Sequence, residues 1–253
     1  MDRKELKRLA NDLGFHAIVA NWNEYVEQSW LEPLLKEEEK ECQRRSLERR
    51  IKEADIGQFK PLAEFDWSWP KEIDRDQVEE LFSLSFLDEK VNVVFLATNG
   101  LGKTMIAQNL AYKAVLAGYK TRFVKASKML DELLQCGGAA SRRRRIKNLF
   151  RVDLLVIDEV GYMSYDSRYA DLLYEVISER YQHKSTIVTT NKAFSAWGDI
   201  FPDAACVVTM VDRLTHHAEL TLIEGESWRH HEAEERAKAR EKARKTKTEK
   251  KKV

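Results

Sequence analysis

The segment Ala97-Thr98-Asn99-Gly100-Leu101-Gly102-Lys103-Thr104-Met105 holds two glycines followed by an ammonium and a hydroxyl, Lys103-Thr104, at a spacing that suits a phosphate chain. Glycines let a loop turn its amides inward, and a following helix aims its dipole at negative charge. The Lys103 ammonium then reaches the terminal phosphates and the Thr104 hydroxyl ligates Mg2+. The strictest form of such a loop begins with glycine; here the first position is Ala97, which broader forms admit. Fifty-five residues beyond Lys103, the apolar run Leu154-Leu155-Val156-Ile157 ends in Asp158-Glu159. Ligands of open α/β sheets bind at the C-terminal edge of the strands, so Asp158 is expected in the Mg2+ shell and Glu159 beside an attacking water. A third run, Thr186 to Thr190, ends in Asn191, whose uncharged amide is suited to holding that water. An acid pair alone is as readily a cap, and an Asn after a strand as readily a turn residue. Joined to a phosphate loop, the three clusters describe hydrolysis of a nucleoside triphosphate.

These side chains need a sheet to converge. Val93-Val94-Phe95-Leu96 is a short, wholly apolar run of the kind buried on both faces of a parallel sheet, and a helix is expected from Lys103 to about Ala117. Further strands are read at residues 121–125, 154–157, 186–190 and 219–223, with helices between them. The expectation is an open, mostly parallel five-stranded α/β sheet covered on both faces. Before it, Leu6, Leu9, Leu13, Ile18, Val19, Trp22, Tyr25 and Val26 recur at helical spacing, which predicts a helical N-terminal domain over residues 1–54. Residues 55–72 read as an ordered linker, where Phe65, Trp67 and Trp69 anchor to the next domain rather than stack on bases. Asp74 is suited to capping a short helix. Residues 73–230 then form the nucleotide domain.

The 253 residues are 43% apolar and 34% charged, which fits a soluble protein. No apolar run approaches the ~20 residues of a membrane span, so a cytoplasmic protein without a membrane is expected. Cys42, Cys136 and Cys206 lie far apart, without disulfide or zinc spacing. The net charge of +1 conceals a tail: residues 236–253 hold ten Lys or Arg against two Glu. The end from 231 to 253 is read as a disordered basic tail, either solvated or seeking nucleic-acid phosphate. Two other basic clusters stand out. Arg44, Arg45, Arg49 and Arg50 lie on neighbouring helical turns, and Arg142, Arg143, Arg144, Arg145 and Lys147 follow Gly137-Gly138. The first could meet a nucleic-acid backbone or be a solvated face; the second is the DNA-binding candidate, for backbone contact without base reading, with a solvated basic helix as the alternative.

Several of these stretches occur together in one order. The phosphate loop, Ile157 to Tyr162 (IDEVGY), Thr189-Thr190-Asn191 followed by Phe194 and Trp197-Gly198, Asp212-Arg213-Leu214 before His216-His217, and Gly225 to Arg229 resemble the IstB and DnaC group of AAA+ ATPases. The match covers nearly the whole chain and is nearer to IstB, the helper ATPase of bacterial insertion sequences. This resemblance implies an ATP-driven homo-oligomer, with ATP sites at subunit interfaces, that assembles on duplex DNA and serves a cognate transposase. It implies that Asn191 is the sensor-one residue, that Arg213 reaches a neighbouring subunit's nucleotide, and that Arg229 is the sensor-two arginine. For both arginines a surface or strand-end structural role is the alternative. A DnaC-type replicative helicase loader and a DNA scaffold that hydrolyses poorly are the rival functions.

Overall fold

The apolar run at Val93 has no polar side chain to offer solvent, and it sits at the centre of the fold. In the computed structural model, which describes residues 1–162, 166–201, 205–234 and 236–238, the chain divides into two units, Met1–Glu53 and Ala54–Val253. The expected basic tail lies outside the described residues from 239 onward.

The first unit is helical: α1 (Arg3–Asp12), α2 (His16–Ala20), α3 (Trp22–Tyr25) and α4 (Leu31–Ala54). Asp2 opens α1 by accepting from the amides of Lys4 and Glu5, while Glu5 reaches back, a reciprocal cap. The single apolar face expected from Leu6 to Val26 is broken at Gly14, whose φ of 80° a helix cannot continue. Folding back lets Leu6, Ala10, Leu31 and Leu35 share a small core. Along α4, Arg44 pairs with Glu41 and Glu48, and Arg45 with Glu38 and Glu41. Arg44 and Arg45 are thus engaged with acids of their own helix.

The second unit carries a six-stranded sheet. Its strands are β1 (Glu72–Ile73), β2 (Asn92–Ala97), β3 (Thr121–Lys125), β4 (Leu154–Val160), β5 (Ser185–Thr190) and β6 (Ala218–Glu224), in the order β1-β6-β2-β5-β4-β3. The five expected strands are parallel to one another; the sixth, β1, pairs antiparallel with β6 at the boundary between the expected linker and the nucleotide domain. Helices α5 (Arg75–Leu81), α6 (Ser85–Asp88), α7 (Lys103–Leu116), α8 (Ala126–Leu134), α9 (Ala139–Arg151), α10 (Ser167–Arg180), α11 (Trp197–Ile200) and α12 (Cys206–Thr215) complete the unit. Asp74 caps α5 by accepting from the amide of Gln77.

Strand side chains alternate between faces. Val94, Val124, Leu155, Ile157 and Val188 share one core with the buried sides of α8, α10 and α12. Their neighbours Val93, Phe95, Val156 and Ile187 are also fully buried. The apolar stripe of α7, including Ile106, Leu110 and Ala114, packs against β2, β3, β4 and β5. The chain leaves β2 through α7 for β3 at the far edge and returns strand by strand through β4 and β5, and the C-terminal ends of β2, β4 and β5 open onto one crevice.

Two buried polar residues hold the opposite edge. Asn92 donates to the Leu214 carbonyl and accepts from the Thr186 amide, tying β2 to β5 and to the end of α12. Arg180 is 1% exposed and donates to the carbonyls of Leu149, Val152, Asp153 and Ser185 and to the Thr186 hydroxyl. Burial pushes its guanidinium down to about 9, still above neutrality, so the cation persists and joins the end of α9 to the starts of β4 and β5.

Candidate nucleotide site

The phosphate loop leaves β2 at Ala97 and turns through Gly100 and Gly102, whose φ angles of 84° and 88° L side chains rarely adopt. Space is as restrictive as conformation: a Cβ on Gly100 would meet the Ser227 side chain, and one on Gly102 the Phe65 ring. Gly102 caps α7, so the free amides of that helix face the crevice. Lys103 is 8% exposed and folds back to donate to the carbonyls of Ala97 at 2.5 Å and Thr98 at 2.7 Å. Burial pushes its ammonium down to about 8, against the attraction of Asp158 and with repulsion from Arg229. An anion in the crevice would restore what burial removes.

Asp158 sits at the end of β4 and is 1% exposed. Its Oδ1 accepts from the hydroxyls of Thr104 at 2.9 Å and Thr189 at 2.6 Å, while its Oδ2 is buried without a partner. Desolvation pushes this carboxyl above its ordinary value, against both hydroxyl bonds. An unpartnered carboxylate oxygen beside a threonine hydroxyl fits a hard divalent cation, which would supply the missing positive charge. Glu159 follows at a register shift between β4 and β5, with φ at 63°; its amide donates to the Thr189 hydroxyl. Its carboxylate accepts from the Lys125 ammonium at 2.7 Å. Asn191 follows β5 with its Oδ1 buried and unpartnered, while its amide nitrogen lies 3.5 Å from Asn99 Oδ1.

Lys103, Thr104, Glu159 and Asn191 line one cavity of about 370 Å3, and Asp158 is bonded to its Thr104. Asn99 to Met105 form its floor, and Glu159, Thr190 and Asn191 approach from the strand ends. Phe65, Asp66 and Trp69 from the linker and Trp228, Arg229 and Glu232 beyond β6 close the other side. Of the linker aromatics, Phe65 and Trp69 thus wall the cavity, while Trp67 packs against Phe65 and Arg75.

Two expected groups lie elsewhere. Arg213 stands over the rings of Tyr174 and Tyr181, 5.2 and 5.8 Å from their centroids, and does not line this cavity. On α9, Ile146 and Leu149 are buried, Arg142 is half-buried, and Arg143, Arg144, Arg145 and Lys147 are exposed, with Arg145 paired to Glu132. Sequence reasoning missed Thr189, Lys125 and Trp228. The only signal for Thr189 was its place near the end of a strand, and for Trp228 its place beside Arg229.

The model of the family described as IstB-like ATP binding protein matches residues 2–236. The chain is 35% identical over 196 residues to the ATP-binding protein of insertion sequence IS5376 from Geobacillus stearothermophilus, covering 78% of each. To that of insertion sequence IS21 from Pseudomonas aeruginosa it is 35% identical over 185 residues, covering 73% of this chain and 70% of the relative. Among solved structures, the crystal structure of DnaI superposes with a TM-score of 0.55 at 16% identity, covering 67% of this chain and 93% of DnaI. That likeness is one of fold.

Proposed function

The chain belongs to the family of IstB-like ATP binding proteins, the AAA+ proteins of insertion sequences, and from that premise we propose that it hydrolyses ATP while assembled on duplex DNA. In this reading it prepares target DNA for a cognate transposase in the bacterial cytoplasm. The observation that carries the proposal is the convergence of Lys103, Thr104, Asp158, Glu159, Asn191 and Arg229 from four separate parts of the chain on one strand edge.

The triphosphate draws Lys103 from the carbonyls of Ala97 and Thr98, and the α7 amides take the phosphate oxygens. Thr104 and Asp158 would hold Mg2+, which lends positive charge to the phosphates. Glu159 and Asn191 orient the attacking water, and Glu159 takes its proton once released from Lys125. Arg213 of one subunit serves the nucleotide of the next, which makes hydrolysis depend on assembly. The exposed cations of α9 supply phosphate contacts without base reading, so affinity for duplex falls steeply with salt.

ATP turnover and particle size, with and without duplex DNA, test the reading in the wild type, Lys103→Ala and Glu159→Gln. Large assemblies that need ATP and DNA, fail in Lys103→Ala and persist in Glu159→Gln support it. Assembly only with single strands or a replicative helicase would move the protein to the loaders, and wild-type turnover no faster than Glu159→Gln would leave a scaffold.

A further inference from the structure

The stretch from Glu226 to His231 lies between the phosphate loop and the linker. On one side, the Trp228 amide donates to the Gly100 carbonyl at 3.1 Å, and the Ser227 side chain fills the space beside Gly100. On the other, the Trp69 indole N–H donates to the Glu226 carbonyl at 2.8 Å. The Trp69 ring meets Trp228 edge-on at 5.1 Å and lies tilted over His231 at 4.3 Å. Arg229 is in the middle of this stretch, facing the cavity close enough to repel the Lys103 ammonium. Among the described residues it makes no hydrogen bond or ion pair, so its place is set by the backbone around it.

That backbone has two fastenings, and one comes from far away in the chain. Trp69 precedes the first strand of the parallel sheet and Arg229 follows the last, 160 residues apart. We propose that Trp69 is a positioning residue for Arg229: the indole holds residues 226–231 against the phosphate loop and so keeps the guanidinium on the bound triphosphate. The inference rests on the nucleotide reading above. It assigns the linker a task in ATP binding that its place outside the sheet does not suggest. Without Trp69, the stretch keeps its attachment to Gly100 but loses the bond at Glu226 and the stack on both sides of Arg229, and the cation swings toward water.

A double-mutant cycle on ATP affinity separates this from a general packing role. Binding of a fluorescent ATP analogue is measured for the wild type, Trp69→Ala, Arg229→Ala and the double variant of the full chain. Each single variant is expected to bind about tenfold more weakly, the scale of one lost charge-assisted contact, and the double variant no more weakly than Arg229→Ala. Trp69→Phe keeps the aromatic packing without the indole donor; should Trp69→Ala fail to fold, the same cycle with Trp69→Phe reads a loss of about threefold that also vanishes in the Arg229→Ala background. Losses that multiply in the double variant, or wild-type affinity in the folded Trp69 variants or in Arg229→Ala, overturn the proposal. Lys103→Ala, run alongside, separates the failures. If Lys103→Ala binds as the wild type does, the cavity is not the nucleotide site; if it abolishes binding while the other two losses multiply, only the positioning role falls.

Discussion

Lys103 is bonded to two carbonyls, with burial holding its ammonium at about 8. Above that pH the cation is lost before ATP arrives, and binding must first recover a proton. Affinity for ATP is therefore expected to fall by about tenfold per pH unit once the pH passes well above 8, and residual binding by Lys103→Ala to lack this fall. Stability moves the other way. The unfolded ammonium titrates near 10.5, so between about 8 and 10.5 the unfolded chain holds the extra proton and rising pH favours the folded state at this residue. Opposite signs in a binding titration and a denaturation curve distinguish site titration from alkaline unfolding. Thr189 gives a second prediction, since its hydroxyl donates to Asp158 and accepts from the Glu159 amide. Thr189→Val should cost about 1–3 kcal/mol of stability by leaving buried groups unpaired, and should lower kcat more than it raises KM. Chemical denaturation and steady-state kinetics read the two effects. In the sequence Thr189 is one of three threonines in a five-residue strand, and nothing local says which one turns to an aspartate 31 residues away. The phosphate loop is different: all its chemistry lies within nine consecutive residues, so its spacing is legible without a fold.

At the scale of elements, α9 brings together an apolar side and a basic one. Ile146 and Leu149 are buried while Arg143, Arg144 and Lys147 face solvent. Reversing charge at Arg143 and Arg144 should weaken duplex binding across all sequences and flatten its salt dependence by about one unit of slope per lost contact. Far-UV circular dichroism and ATP affinity should stay as in the wild type, since neither side chain joins the core or the cavity. The end of α9 depends on a residue with no visible motif. Arg180 bonds four carbonyls and a hydroxyl in a site from which water is excluded. Arg180→Ala is expected to destabilise by roughly 3–5 kcal/mol, seen as a lower denaturation midpoint, because each acceptor loses its partner. Apolar runs and their spacing made five strands and their order along the chain legible. The sixth escaped because two residues, Glu72 and Ile73, show no alternation; they become a strand only through pairing with Glu224 and Ile223. For the same reason the linker read as a connection. Its contacts with Asn109, Glu226 and Trp228 span 47 residues or more and leave no local pattern.

For the whole molecule, the decisive question is whether one chain can complete its own site. Arg213 lies against Tyr174 and Tyr181, away from the cavity that Arg229 faces, so within a single chain the two arginines serve different surfaces. The family resemblance assigns Arg213 to a neighbouring subunit's nucleotide, and that assignment makes a demanding prediction. Arg213→Ala should bind ATP with unchanged affinity, because it touches nothing in its own cavity, yet hydrolyse it little. Glu159→Gln should also bind and not hydrolyse, for a reason internal to its own cavity. Mixed in the presence of duplex DNA, the two inactive proteins should recover turnover, since a subunit with an intact Glu159 can sit beside one with an intact Arg213. Recovery should rise with protein concentration and vanish when Lys103→Ala is built into the Arg213→Ala chain. Unchanged inactivity of the mixture at concentrations where particles form would assign Arg213 to its own chain, where its stacking on two tyrosines would be a packing contact that joins α12 to α10.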